Sequence, residues 1–227
     1  MSKRKKISRR KFLIGGASLI GVSALTCAGG AGLAMREPEV SFHTSSCGET
    51  GNTDGRVLVT YASQAGSTGE IAGAIGQVIC ETGTAVDVRP ILTIDDLTPY
   101  RAVVVGSAVH SSAWMPEAVS FVETHRDALS QMPVAYFLSC LALTVTDTDE
   151  LRRKVASFLD PVRQQVPEVQ ALDVGLFAGK LDFKKLPLAY RVMWPFTAGG
   201  QATEGDYRDW KAIRAWAGNL RAGLLNA

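Results

Sequence analysis

The feature that most constrains the fold is a pair of uninterrupted apolar runs, Ala102-Val-Val-Val-Gly-Ser107 and Pro133-Val-Ala-Tyr-Phe-Leu-Ser139. Neither alternates apolar with polar residues, as a strand with one wet face would. Both are too short for a buried helix. They read as central strands of a sheet covered on both sides, and such a cover requires helix-forming sequence nearby. Ala118, Phe121, Val122, His125 and Leu129 supply it at helical spacing between the two runs.

The remainder follows the same alternation. Arg56-Val-Leu-Val-Thr-Tyr61 is a strand that ends in the hydroxyl-rich turn Ser63-Gln-Ala-Gly-Ser-Thr68, and Ile71, Ala74, Ile75, Val78 and Ile79 then mark a helix up to Gly83. From Ala85 to Arg89, Val86 and Val88 alternate with Asp87 and Arg89, and Pro90 follows, which suits a strand at a sheet edge. Leu151, Val155, Phe158, Leu159 and Val162 form another helical stripe before a last strand, Ala171 to Phe177. Trp210, Ile213, Ala217 and Leu220 form the final helix. Right-handed crossovers then give an α/β domain over 56–227, a doubly wound five-stranded parallel sheet. The edge character of the second strand selects the order 2-1-3-4-5. The insert 180–206, before the last helix, is too long for a plain connection.

The first fifty-five residues belong to a different regime. Seven of the 24 basic residues fall between Lys3 and Lys11, and without them 17 positive charges face 22 negative, about −5. That balance is no nucleic-acid footprint, so no nucleic-acid partner is expected. Ser8-Arg9-Arg10-Lys11-Phe12-Leu13 matches a twin-arginine export signal, and the chain from Phe12 to Met35 carries no charge. Residues 1–35 are therefore read as a twin-arginine signal or a membrane anchor, with an ordinary signal-anchor helix as the other reading. Either places the domain outside the cytoplasm, anchored or released after cleavage. Residues 36–55, rich in Ser, Thr, Gly and Asn, read as a flexible tether. Cys27, Cys47, Cys80 and Cys140 show no CxxC or CxxH spacing, so neither a metal site nor a disulfide framework is expected.

In an open parallel sheet the ligand lies beyond the carboxyl ends of the strands, at the switch between the first and third. The loop Ser63, Gln64, Ala65, Gly66, Ser67 and Thr68 sits there and opens a helix. Its hydroxyls and backbone N–H groups suit a phosphate dianion without a lysine, since the helix N-terminus carries partial positive charge. A capping turn with no ligand is the alternative. No GxxxxGK[ST] or GxGxxG occurs, which argues against nucleoside triphosphates and a dinucleotide site.

Ser63-x-x-Gly66-x-Thr68 after a first strand resembles the flavodoxin phosphate loop, which implies FMN. The flavin ring would then lie beside Ser107, Ala108, Val109 and His110, with His110 and Trp114 as the available planes, Trp114 reading equally as a core anchor. Ser139, Cys140 and Leu141 after the fourth strand would reach its other side, although a buried cysteine is more often a small apolar residue. No catalytic residue is assigned.

Further points resemble one branch of that superfamily, the menaquinone-dependent protoporphyrinogen oxidases, over about Arg56 to Leu220. They are Val103-Val-Val-Gly-Ser-Ala108, Met115-Pro-Glu-Ala-Val-Ser-Phe-Val122, Phe177-Ala-Gly-Lys-Leu181 and Gly199-Gly-Gln-Ala-Thr-Glu-Gly-Asp-Tyr-Arg-Asp-Trp210. The resemblance implies noncovalent FMN and electron exchange between a small-molecule donor and a quinone, with a flavodoxin-type noncatalytic electron carrier as the alternative. The insert, with Leu186, Tyr190, Met193, Trp194 and Phe196 among Lys184, Lys185 and Arg191, reads either as an amphipathic segment on a membrane or as a satellite helix over the sheet.

Overall fold

A computed structural model of the chain describes residues 40–48, 55–81, 83–145, 147–186, 191–192 and 203–225. The expected signal or anchor, and Tyr190, Met193, Trp194 and Phe196 of the insert, lie outside the described residues. Among the described residues, no helix is long and apolar enough to cross a membrane.

One sheet organises the domain. Its strands are β1 (Ser45–Cys47), β2 (Arg56–Ala62), β3 (Val86–Pro90), β4 (Tyr100–His110), β5 (Ala113–Trp114), β6 (Val134–Cys140) and β7 (Ala171–Ala178). They lie in the order β1-β3-β2-β4-β6-β7, with β5 folded back on β4. The pairs β3–β2, β2–β4, β4–β6 and β6–β7 are parallel, so the five long strands keep the expected 2-1-3-4-5 order. The expected total of five strands is corrected by two short antiparallel additions, β1 on β3 and β5 on β4.

The apolar runs are continuous because successive residues enter two different cores. Val57, Val59, Val104 and Phe137 pack with α1 (Ser67–Cys80) and α6 (Trp210–Leu225). Leu58, Val103, Val105 and Tyr136 pack with α2 (Pro116–Thr124), α3 (Arg126–Leu129), α4 (Asp149–Ala156) and α5 (Asp160–Gln165). On α6, Ile213, Ala217, Leu220 and Leu224 are buried at helical spacing, and each large one contributes about 1.5–3 kcal/mol by leaving water. Two expected stripes are interrupted. His125, at φ −101° and ψ 14°, separates α2 from α3, and Pro161 restarts the chain in the first turn of α5.

The tether expected over 36–55 is structured over part of its length. Residues 45–47 form β1, so β3 is not the edge of the sheet. Asp87 of β3 holds this corner together: it accepts from Arg56 Nε and Nη2 at 2.9 Å each, from Ser46 Oγ at 2.5 Å and from Tyr100 Oη at 3.2 Å. Four strands thereby share one carboxylate. Beside it, Cys47 forms a disulfide with Cys80 at the end of α1. Cysteine spacing gave no expectation of this bond; it forms because the β1–β3 pairing carries Cys47 over α1.

Candidate functional site

The three groups of residues singled out in the sequence lie side by side at the carboxyl ends of β2, β4 and β6. Ala62 is opposite Ser107, and Ala108 is opposite Ser139, so the loops leaving these strands share one rim of the sheet. Strand neighbours stand about 4.8 Å apart, which spreads the rim over a length comparable with a small ring system.

The turn after β2 is shaped by two residues. Gly66 stands at φ 83°, a left-handed conformation that side chains resist, and its N–H donates to Ser63 Oγ at 2.9 Å. Its carbonyl accepts from Gly69 and Glu70, starting α1. The first N–H groups of a helix have no partner within it, and Gln64, Ala65 and Ser67 present the surrounding backbone while remaining half-exposed. Among the described residues no side chain caps α1, and Gly66 rather than Thr68 holds the cap position, so the capping turn considered above is not the role of Thr68. Thr68 is fully buried, and among the described residues its Oγ1 has no hydrogen-bond partner. A buried hydroxyl left unpaired costs about 1–3 kcal/mol, and at a helix N-terminus an oxyanion would satisfy it. The residues present fit a phosphate.

The second group divides. Ala108 and Val109 are half-exposed and His110 is exposed, continuing β4 beyond its expected end. The chain reverses through Ser111 and Ser112, at φ 51° and 61°, and pairs Val109 with Trp114 and His110 with Ala113. The hairpin turns Trp114 inward, where it is 3% exposed and meets Tyr136 edge to face at 5.2 Å. It is a core anchor and has no free face for a ring. Ser107 is committed as well: its hydroxyl donates to Ala108 O and accepts from Met115 N, bracing the hairpin. His110 is the plane left at the rim.

In the third group Ser139 and Cys140 are buried, and Leu141 begins a single helical turn, Leu141–Thr144. Burial pushes the Cys140 thiol above its ordinary value, against backbone N–H bonds from Ala142 and Leu143. A protonated thiol packed in the core is no nucleophile. Gly179 after β7 closes the rim, since a Cβ placed there would stand 3.3 Å from both Ser139 Oγ and Leu141 Cδ2.

Three contributors to the site were not foreseen. Residues 40–44 run past the loop after β2: a Cβ on Gly66 would stand 3.1 Å from Val40 Cγ1 and 3.3 Å from Ser41 O. Tyr61 Oη donates to His43 O at 2.8 Å, and burial raises this phenol to about 12. Lys185 Nζ lies 3.8 Å from the same point on Gly66, a cation where none seemed necessary. Its turn, Phe183–Lys185, is held by Asp182 accepting from Lys184 N and by Arg191 donating to Lys184 O and Leu186 O. Ser41, Phe42, His43, Thr44, Gly66, Glu70 and Lys185 enclose a polar space of about 370 Å³. The third contributor is Arg208, buried beneath the first turn of α1, where it bonds Ser67 O and Glu70.

Known proteins place this geometry in a family. The family model described as "Flavodoxin domain" matches residues 58–206. A protoporphyrinogen IX dehydrogenase [quinone] from Leishmania major is 28% identical over 178 residues, covering 74% of this chain and 75% of that protein. Among solved structures, an archaeal flavodoxin is 17% identical with a TM-score of 0.43, covering 74% of this chain and 98% of its own. The two-electron reduced flavodoxin of Megasphaera elsdenii is 15% identical with a TM-score of 0.44, covering 72% and 98%. With the family model spanning more than half of the chain, this protein belongs to the flavodoxin domain family.

Proposed function

We propose that the protein is an FMN-dependent oxidoreductase that exchanges electrons with a quinone, with protoporphyrinogen IX or a related small molecule as donor. The observation that carries the cofactor is the buried, unpartnered Thr68 Oγ1 at the mouth of α1. Ser63, Ser67, Thr68 and the backbone of Gln64, Ala65 and Gly66 would hold the phosphate. The ring would rest on the rim formed by Ala108, Val109, His110 and Leu141. When bound, FMN supplies one- or two-electron transfer. The chain's own part is to hold the phosphate and to keep water from the inner side of the rim, where Trp114, Ser107 and Cys140 are buried. The quinone-linked activity of the Leishmania relative supports the choice of acceptor.

We further propose that the domain works outside the cytoplasm, attached through the segment that follows Ser8-Arg9-Arg10-Lys11-Phe12-Leu13. The Cys47–Cys80 disulfide supports this, because such bonds persist in oxidising compartments.

Purification of the folded chain tests both halves. It is expected to carry or take up FMN and, with protoporphyrinogen IX as donor and menaquinone as acceptor, to turn over. A colourless protein that takes up no FMN overturns the reading. A yellow protein that reacts only with a protein reductase overturns the enzymatic half and makes it an electron carrier.

A further inference from the structure

Gly205-Asp-Tyr-Arg-Asp-Trp210 lies far from the loop after β2 in sequence, and its Arg208 meets the first turn of α1 in space. The segment begins as β9 (Gly205–Asp206), which pairs with β8 (Lys180–Leu181), and leads into α6. Arg208 projects from the join, 8% exposed. Its Nε and Nη2 donate to Asp206 Oδ1 and Oδ2 at 2.7 and 2.6 Å, a bidentate clamp. Its Nη1 donates to Ser67 O at 3.3 Å and lies 2.8 Å from Glu70 Oε2. The guanidinium carbon stands 4.3 Å from the centre of the Trp210 ring. Burial opposes the charge, but the bonds to Asp206 and Glu70 outweigh it and raise the pKa, so Arg208 stays a cation.

Two consequences meet at one place. Ser67 opens α1 and Glu70 lies in its first turn, so Arg208 fixes from behind the turn whose N–H groups face the loop. Glu70 also borders the polar space beside Gly66, where an uncompensated carboxylate would repel an entering phosphate. Arg208 sets its one positive charge against the two carboxylates of Glu70 and Asp206 and so offsets part of their negative field beside the loop.

We propose that Arg208 is a positioning residue for the phosphate of FMN: it locks the first turn of α1 and offsets the charge of Glu70, and so sets the preference for FMN over riboflavin. This rests on the FMN reading above. Riboflavin has the same ring and no phosphate, so comparing the two ligands isolates the effect.

The test is fluorescence titration of the cofactor-free protein with FMN and with riboflavin, at low salt. Arg208→Met is expected to weaken FMN by at least about tenfold, roughly one charge-assisted contact, and to leave riboflavin within about twofold. Arg208→Lys keeps the charge and should recover part of the loss. Glu70→Gln added to Arg208→Met should recover part as well, since it removes the carboxylate left behind. If Arg208→Met does not fold, Glu70→Gln alone carries the test, with FMN tightening about two- to threefold and riboflavin unchanged. Equal changes for both ligands, or none for either, overturn the role of Arg208 while the FMN site stands. A wild-type protein that prefers neither ligand overturns the phosphate site and this proposal together.

Discussion

Thr68 and Gly66 stand two residues apart and differ in purpose: one hides a hydroxyl that wants a partner, the other bends the chain so that a partner can come. The hydroxyl makes a prediction with opposite signs. Thr68→Val removes a buried unpaired group and should stabilise the cofactor-free protein by about 1 kcal/mol in thermal unfolding. The same change should weaken FMN about tenfold by titration. Loss of stability without FMN would mean that Thr68 has a protein partner after all. Gly66→Ala forces a side chain into the left-handed region at a cost of about 1–2 kcal/mol and against Val40. A lowered melting temperature and loss of retained FMN on gel filtration are the expected readouts. The turn through Ser63, Gly66 and Thr68 was legible because glycine and hydroxyl residues between a strand and a helix mark such a turn. Trp114 was not legible, because the same aromatic serves a ring or a core, and only the hairpin through Ser111 and Ser112 decides between them. Arg208 was invisible for another reason. Its partner Ser67 is 141 residues away, beyond any local pattern.

At the scale of elements, long apolar runs announced themselves and short polar ones did not. β4 and β6 were clear because each residue enters a core, whichever way it points. β1 was hidden, since Ser45, Ser46 and Cys47 show no apolar period and pair only because β3 offers an open edge. Its hold on the sheet runs through Asp87, which makes the corner sensitive to acid. Burial raises the Asp87 carboxyl, but the hydrogen bonds and charge of Arg56, with Ser46 and Tyr100, hold it below the ordinary carboxylate range. A depressed folded value means that the stabilisation is complete above the unfolded pKa of about 3.9 and is lost as pH falls through the folded value. Asp87→Asn should therefore cost about 3 kcal/mol near neutrality, because it leaves the Arg56 charge without its partner. It should also flatten the acid limb of the stability curve. Urea unfolding at a series of pH values between 3 and 7 reads both effects, and an unchanged midpoint would deny Asp87 its role.

For the whole molecule, the Cys47–Cys80 bond joins points 33 residues apart and closes the leading segment onto the domain. Constraining an unfolded loop of that length is worth about 3–4 kcal/mol on the chain-entropy account. Cys47→Ser, or reduction, should lower the melting temperature accordingly. Thiol labelling of the unfolded, unreduced domain should find Cys140 alone, joined by Cys27 where the first 35 residues are retained. Labelling of Cys47 in protein from an oxidising compartment would contradict the pairing. No spacing rule foretells such a bond; it is created by the antiparallel pairing of β1.

The contact of Val40 with Gly66 has a geometric consequence. The uncharged stretch ends at Met35, only five residues earlier, and five residues reach at most about 18 Å. In a chain that keeps that stretch within a bilayer, the domain would ride on a very short mooring made fast beside its own phosphate loop. On the function proposed above, the rim of the sheet would then be held toward the lipid, and a quinone would reach it by travelling in the plane of the membrane, a search in two dimensions.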